Sequence, residues 1–149
     1  MVYKAFLYLR TTLFNIGYYA SGIVFGGLST LIWPLLPYRR RFPLINRWNR
    51  FVMVWLRICC NVRIEIRGDK RTDLQPYVVM AKHQSTWETL FLQFYFEPIA
   101  TILKKELLRI PFFGWGLAAM RPIAIDRRNK TQALRDVKAK SVRALEDRI

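Results

Sequence analysis

Residues 11–38 contain no charged side chain. Treated as a helix rising about 1.5 Å per residue, some twenty of them cross a hydrocarbon core of roughly 30 Å. A secretory signal has a shorter apolar core and a small-residue cleavage site, and neither is present, so the run predicts a retained membrane anchor. Gly22 and Gly26 form a G-x-x-x-G pair within it, which either admits another helix at close range or is coincidence in a glycine-rich stretch. Pro34, Pro37 and Pro43 punctuate its end. In residues 44–60, Leu44, Ile45, Trp48, Phe51, Val52, Trp55 and Ile58 recur at helical spacing, with Arg47, Arg50 and Arg57 between them. Such a basic amphipathic helix suits a membrane interface; the alternative is a helix packed on the globular part with solvated arginines.

The pattern changes after Asn61. Val62, Ile64 and Ile66 alternate with Arg63, Glu65 and Arg67, the period of a half-exposed strand that Gly68 and Asp69 end. Residues 77–81 form a continuous apolar run, as in a strand buried on both faces. Residues 86–96 predict a helix stopped by Pro98, 99–103 a short strand, and 106–120 a helix broken around Pro111 and Gly114. A strand over 122–125 precedes a charged helix over 131–149, with a stripe at Leu134, Val137, Ser141, Leu145 and Ile149. The predicted class is therefore α/β: membrane-associated N-terminal helices over 1–60, then an α/β domain over 61–149. The last helix has no Gly or Asn cap, and so few strands leave a central edge unpaired. Both features predict an incomplete, truncated domain.

The 149-residue chain carries +15 formal charge with 52% hydrophobic and 15% aromatic residues. A basic surface implies an anionic partner, and apolar content this high disfavours nucleic acid as that partner. Arg39, Arg40, Arg41, Arg47, Arg50 and Arg57 follow the apolar run, against Lys4 and Arg10 before it. That asymmetry places the downstream side in the cytoplasm, although basic flanks on both sides also suit a helix that dips in and returns. Cys59 and Cys60 are adjacent, which excludes a disulfide framework and suggests a reducing compartment. With one histidine and two neighbouring cysteines, no metal is expected.

His83 is that single histidine, and it follows the apolar run 77–81. Sites in α/β proteins gather at the carboxyl ends of strands. Histidine is the usual general base near neutral pH, and a carboxylate such as Glu88 can fix its tautomer and stabilise the imidazolium. Glu88 has a second reading: Ser85-Thr86-Trp87-Glu88 is a capping box, in which Glu88 reaches back to the start of the helix. Both roles can coexist. Asp126 and Arg127 close the strand at 122–125, where Arg127 can grip a phosphate bidentately or sit in a solvated loop. Lys104 and Lys105 follow the preceding strand, either as a solvated pair or as positive potential for an anionic ligand.

Taken in order, the chain presents a hydrophobic N-terminus, H-x-x-x-x-E after a strand, Lys-Lys-Glu-Leu, Ile-Pro-Phe-Phe-Gly-Trp and Ile-Ala-Ile-Asp-Arg. Between about residues 61 and 128 it resembles the lysophosphatidic acid acyltransferases, the 1-acylglycerol-3-phosphate O-acyltransferases. The resemblance implies acyl transfer from acyl-CoA or acyl-carrier protein, as co-substrate, to the sn-2 hydroxyl of lysophosphatidic acid, with no bound cofactor. It makes His83 the catalytic base, places Glu88 where the family usually has aspartate, and gives Arg127 a role in holding the glycerophosphate. Membrane lipids are the further partners it implies, and a membrane location with the catalytic part on the cytoplasmic side. The family's Pro-Glu-Gly-Thr-Arg block and its later proline-bearing block are absent from the chain. The expectation is thus the N-terminal part of a longer enzyme, inactive by itself. Two alternatives stay open: a relative that acylates another lysophospholipid or lyso-lipid, and a non-catalytic basic membrane adaptor.

Overall fold

The computed structural model describes residues 2–69 and 76–149. Helix α1 (Val2–Ile32) is followed by α2 (Tyr38–Cys60), which runs back along it. The antiparallel pairing is pinned along its length. Arg10 Nε donates to the Cys59 carbonyl, Trp55 Nε1 to the Phe14 carbonyl at 3.2 Å, and Trp48 Nε1 to Ser21 Oγ at 3.0 Å. At the other end Arg41 Nη1 donates to the Trp33 carbonyl at 3.2 Å. Two tryptophans on the amphipathic helix thus serve the helix pair. Pro37 takes the N-cap position of α2, and Pro43 lies inside the helix rather than ending the element before it.

No helix among the described residues is long and apolar enough to cross a membrane. The spanning anchor expected at 11–38 is thus not shown by the described helices. The run lacks charge, but Thr11, Thr12, Asn15, Ser21, Ser29 and Thr30, with four glycines, dilute its apolar character. Gly26 of the G-x-x-x-G pair serves a neighbour within the chain. A Cβ on Gly26 would overlap the Phe112 carbonyl, while Gly116 of helix α4 (Phe113–Ala119) lies against the Gly26 backbone. Gly26→Ala is accordingly expected to destabilise the protein by about 1–3 kcal/mol, as overpacking does. Gly27→Ala is the control: its Cβ would meet only the edge of the Phe112 ring at 3.8 Å, so the change should be neutral or slightly stabilising. Urea midpoints of the two variants check this.

Helix α3 (Thr86–Tyr95) packs on α2, with Leu90 against Trp48, Val52 and Met53. Strands β1 (Ile102–Lys104) and β2 (Ile123–Ile125) pair in parallel, in the register Ile102↔Ile123, Leu103↔Ala124 and Lys104↔Ile125. Between them a 3-10 helix (Lys105–Arg109) and α4 form the crossover; the break expected around Pro111 falls between the two, and Gly114 lies inside α4. Helix α5 (Lys130–Glu146) closes the chain, capped by Asn129, which accepts the Gln132 N–H at 3.0 Å. A second apolar cluster joins Phe42 and Ile45 of α2 to Ala119 and Met120 at the end of α4.

The architecture is mostly helical, with this short parallel sheet. Residues 62–66 and 77–81 were both expected as strands, and the structure leaves both without regular secondary structure and unpaired. Several of their apolar side chains face solvent, with Val78 71% and Met80 93% exposed, whereas Tyr77 and Val79 are half-buried. Alternation and apolar runs specify which way side chains point, yet a strand also needs a partner for its backbone groups. Among the described residues no segment lies alongside to supply one.

Candidate active site

The connection entering α3 builds the first half of the site. Ser85 is the N-cap, with extended backbone at φ −155° and ψ 175°, and Glu88 sits in the first turn. From there the carboxylate turns back on the loop. It accepts the Ser85 N–H at 3.0 Å, the Ser85 hydroxyl at 3.1 Å and the Gln84 N–H. On the same carboxylate, Oε1 lies 2.9 Å from His83 Nδ1. The capping role and the histidine contact therefore coexist, because a carboxylate has lone pairs enough for both. Glu88 is 17% exposed at its side chain, whereas His83 is 75% exposed. Burial pushes the Glu88 carboxyl upward, but the hydrogen bonds from Ser85 and Gln84 and the nearby His83 outweigh it. The group is held below its ordinary value. An ionised Glu88 draws the ring proton to Nδ1, which leaves Nε2 as the nitrogen with a free lone pair.

His83 and Glu88 line a cavity of about 1260 Å³ that Lys104 and Arg127 also line. Most of its wall is apolar, and Tyr18, Ile23 and Trp48 bring α1 and α2 to its edge. The sheet explains how the cations reach it. Lys104 ends β1, and Arg127 follows two residues after Ile125, its paired residue on β2.

Arg127 and Arg128 have separate roles. The Arg128 side chain grips Asp126, with Nε on Oδ1 at 3.0 Å and Nη2 on Oδ2 at 2.6 Å, and its backbone N–H adds a third bond at 3.0 Å. Those bonds hold the Asp126 carboxyl far below the usual carboxylate range. With Asp126 engaged by Arg128, Arg127 is the one of these two neighbours that borders the cavity. Lys105 does not line the cavity; it begins the 3-10 helix, and its charge acts on Asp126. Arg148 at the end of the chain also borders the cavity, a cation that sequence reasoning missed although Leu145 and Ile149 of the same predicted stripe lie beside it. Among the described residues no three His, Cys, Asp or Glu side chains converge to hold a metal ion.

Sequence reasoning also missed the polar side chains buried behind α3. Asn46 and Asn49 of α2 and Gln93 of α3 are buried. The available signal was two asparagines three residues apart among the apolar positions of an amphipathic helix.

A family model described as Acyltransferase matches residues 63–148. A 1-acyl-sn-glycerol-3-phosphate acyltransferase of Pseudomonas aeruginosa is 45% identical over 130 residues, covering 87% of this chain and 51% of that protein. A protein of the same description from Saccharomyces cerevisiae is 29% identical over 80 residues, covering 53% of this chain and 26% of that protein. The chain thus spans about half the length of the first relative and about a quarter of the second. No solved structure matches it.

Proposed function

The chain belongs to the acyltransferase family, and from that premise we propose that the complete protein transfers a fatty acyl group to the sn-2 hydroxyl of 1-acylglycerol-3-phosphate, giving phosphatidic acid. The observation that carries this reading is the His83–Glu88 pair on the wall of an apolar cavity that also presents Lys104 and Arg127. His83 Nε2 takes the hydroxyl proton as the oxygen attacks the thioester carbonyl of acyl-CoA or acyl-carrier protein. The tetrahedral intermediate collapses, the C–S bond breaks, and the imidazolium returns its proton to the departing thiolate. Glu88 stays ionised throughout and stabilises the imidazolium. General-base assistance of this kind contributes about 10²- to 10⁴-fold. Arg127 and Lys104 hold the acceptor phosphate, and placing both substrates in one cavity supplies much of the remainder.

Membrane association is part of the proposal. Leu9, Ile16 and Ile23 repeat at seven-residue intervals on α1 and are 67%, 62% and 54% exposed. Exposed Arg39, Arg40, Arg47, Arg50 and Arg57 of α2 add charge for anionic headgroups. The site would then work at the cytoplasmic surface of the membrane. The protein is expected to stay with membranes through a high-salt wash, because salt screens the arginines but not apolar burial. Sedimentation of washed membranes checks this; release by salt would leave the arginines as the sole attachment.

The direct test offers purified complete protein a labelled acyl donor together with lysophosphatidic acid or a lysophospholipid bearing another head group. Phosphatidic acid as the main product supports the assignment. Preference for another head group would move it to the runner-up acceptor class, and no transfer to any acceptor favours the adaptor.

A further inference from the structure

Asn46, Asn49 and Gln93 are 2%, 2% and 4% exposed, and their amide orientations determine one another. Asn46 Nδ2 lies 2.9 Å from a Glu97 carboxylate oxygen and 2.9 Å from the Gln93 carbonyl. Both of those groups only accept, so the nitrogen must face them. Asn46 Oδ1 then accepts from Asn49 Nδ2 at 2.6 Å, and the same Nδ2 reaches Gln93 Oε1 at 2.9 Å. Gln93 is left to present Nε2 to Thr101 Oγ1, 3.1 Å away. A chain of hydrogen bonds that starts at a carboxylate therefore ends on the residue preceding β1.

This chain joins the two halves of the site. Gln93 lies five residues beyond Glu88 on α3, about 7.5 Å along the helix axis. Thr101 is tied to the sheet, its carbonyl accepting the Ile123 N–H of β2 at 2.9 Å. β1 ends at Lys104, and β2 leads to Arg127. Apolar contacts alone let α3 slide, since burial has no direction. Amides do not, because a displaced helix leaves buried donors unpaired. We propose that Gln93, through its hydrogen bond to Thr101, is a positioning residue that sets the separation between the His83–Glu88 pair and the cationic side chains Lys104 and Arg127. The inference rests on the acyl-transfer reading above.

Thr101→Val in the complete protein removes the hydroxyl and preserves the shape. Activity is normalised to the folded fraction measured by circular dichroism at the assay temperature. We expect kcat to fall about 10- to 100-fold, the scale of a small misplacement of reacting groups. KM for lysophosphatidic acid should stay within about twofold, because each half-site is intact and only their separation changes. Thr101→Ser, which keeps the oxygen, should restore kcat, and Gln93→Met should reproduce the loss. If Thr101→Val and Gln93→Met lower only the melting temperature and leave kcat per folded molecule unchanged, the positioning role is overturned. The acyl-transfer reading would survive that result, provided His83→Ala is still inactive. A parent protein with no transfer activity would overturn both.

Discussion

His83→Ala in the complete protein should lower kcat for phosphatidic acid formation by about 10²- to 10⁴-fold, the share that a positioned general base supplies. The change should leave the melting temperature nearly unaltered, since the imidazole is 75% exposed and its removal opens no core cavity. Membrane binding should also persist, because the exposed apolar positions of α1 are untouched. Glu88→Gln is a sharper variant of the same experiment. Glutamine keeps the shape: with its nitrogen in the Oε1 place it donates to Nδ1, and its oxygen in the Oε2 place still accepts the Ser85 N–H and hydroxyl, while the Gln84 N–H loses its acceptor. The ring proton would then sit on Nε2, removing the lone pair that the reaction needs. Activity should fall toward the His83→Ala level while α3 remains capped. Wild-type turnover in His83→Ala, measured with labelled donor, would remove the base from the mechanism.

Arg127→Ala and Arg128→Ala should separate two adjacent arginines by opposite signatures. On the proposed reading, loss of Arg127 removes a charged partner of the acceptor phosphate, a class of hydrogen bond worth about 1.5–3 kcal/mol. KM for lysophosphatidic acid should rise about 10- to 150-fold at that energy, with a smaller effect on the acyl donor. Arg128→Ala should leave acceptor KM within about twofold. Its effect falls on Asp126, whose carboxyl should climb back toward the ordinary carboxylate range once the Arg128 bonds are gone. Acceptor and donor titrations of both variants decide the matter, and equal effects of the two substitutions would mean that Arg127 has no privileged place at the phosphate.

The parts of the molecule that could be read from sequence are those set by near neighbours. Ser85 and Glu88 are three apart, and the reach-back of Glu88 that places it against His83 is the geometry of a helix start. Helix α3 was expected at 86–96 and occurs at Thr86–Tyr95, and α5 was expected at 131–149 and occurs at Lys130–Glu146. What escaped depends on distant partners. Residues 77–81 carry the composition of a buried strand, but pairing is a property of two segments. Gly22 and Gly26 signalled a close approach, yet nothing local says that it is made at Gly26, by residues 112–116. Asn49 and Gln93 are 44 residues apart, so neither shows that the other completes its hydrogen bonding. In the run 11–38, absence of charge is a weaker property than apolar character, and its hydroxyls and glycines separate the two.

The contact between α1 and the turn before α4 constrains the mutational history open to this protein. The atoms that a Cβ on Gly26 would meet are the carbonyl oxygen, carbonyl carbon and Cα of Phe112, none of them in its ring. Shrinking residue 112 therefore opens no space, so a substitution at position 26 has no compensating partner at the point of contact. Phe112 itself holds φ +61°, where glycine is the one residue that fits freely. Glycine at 112 would relax the turn and still leave the same three backbone atoms in place. Position 26 is thus epistatically isolated: relief would require the helix axis to move, and with it the hydrogen bonds that tie α1 to α2.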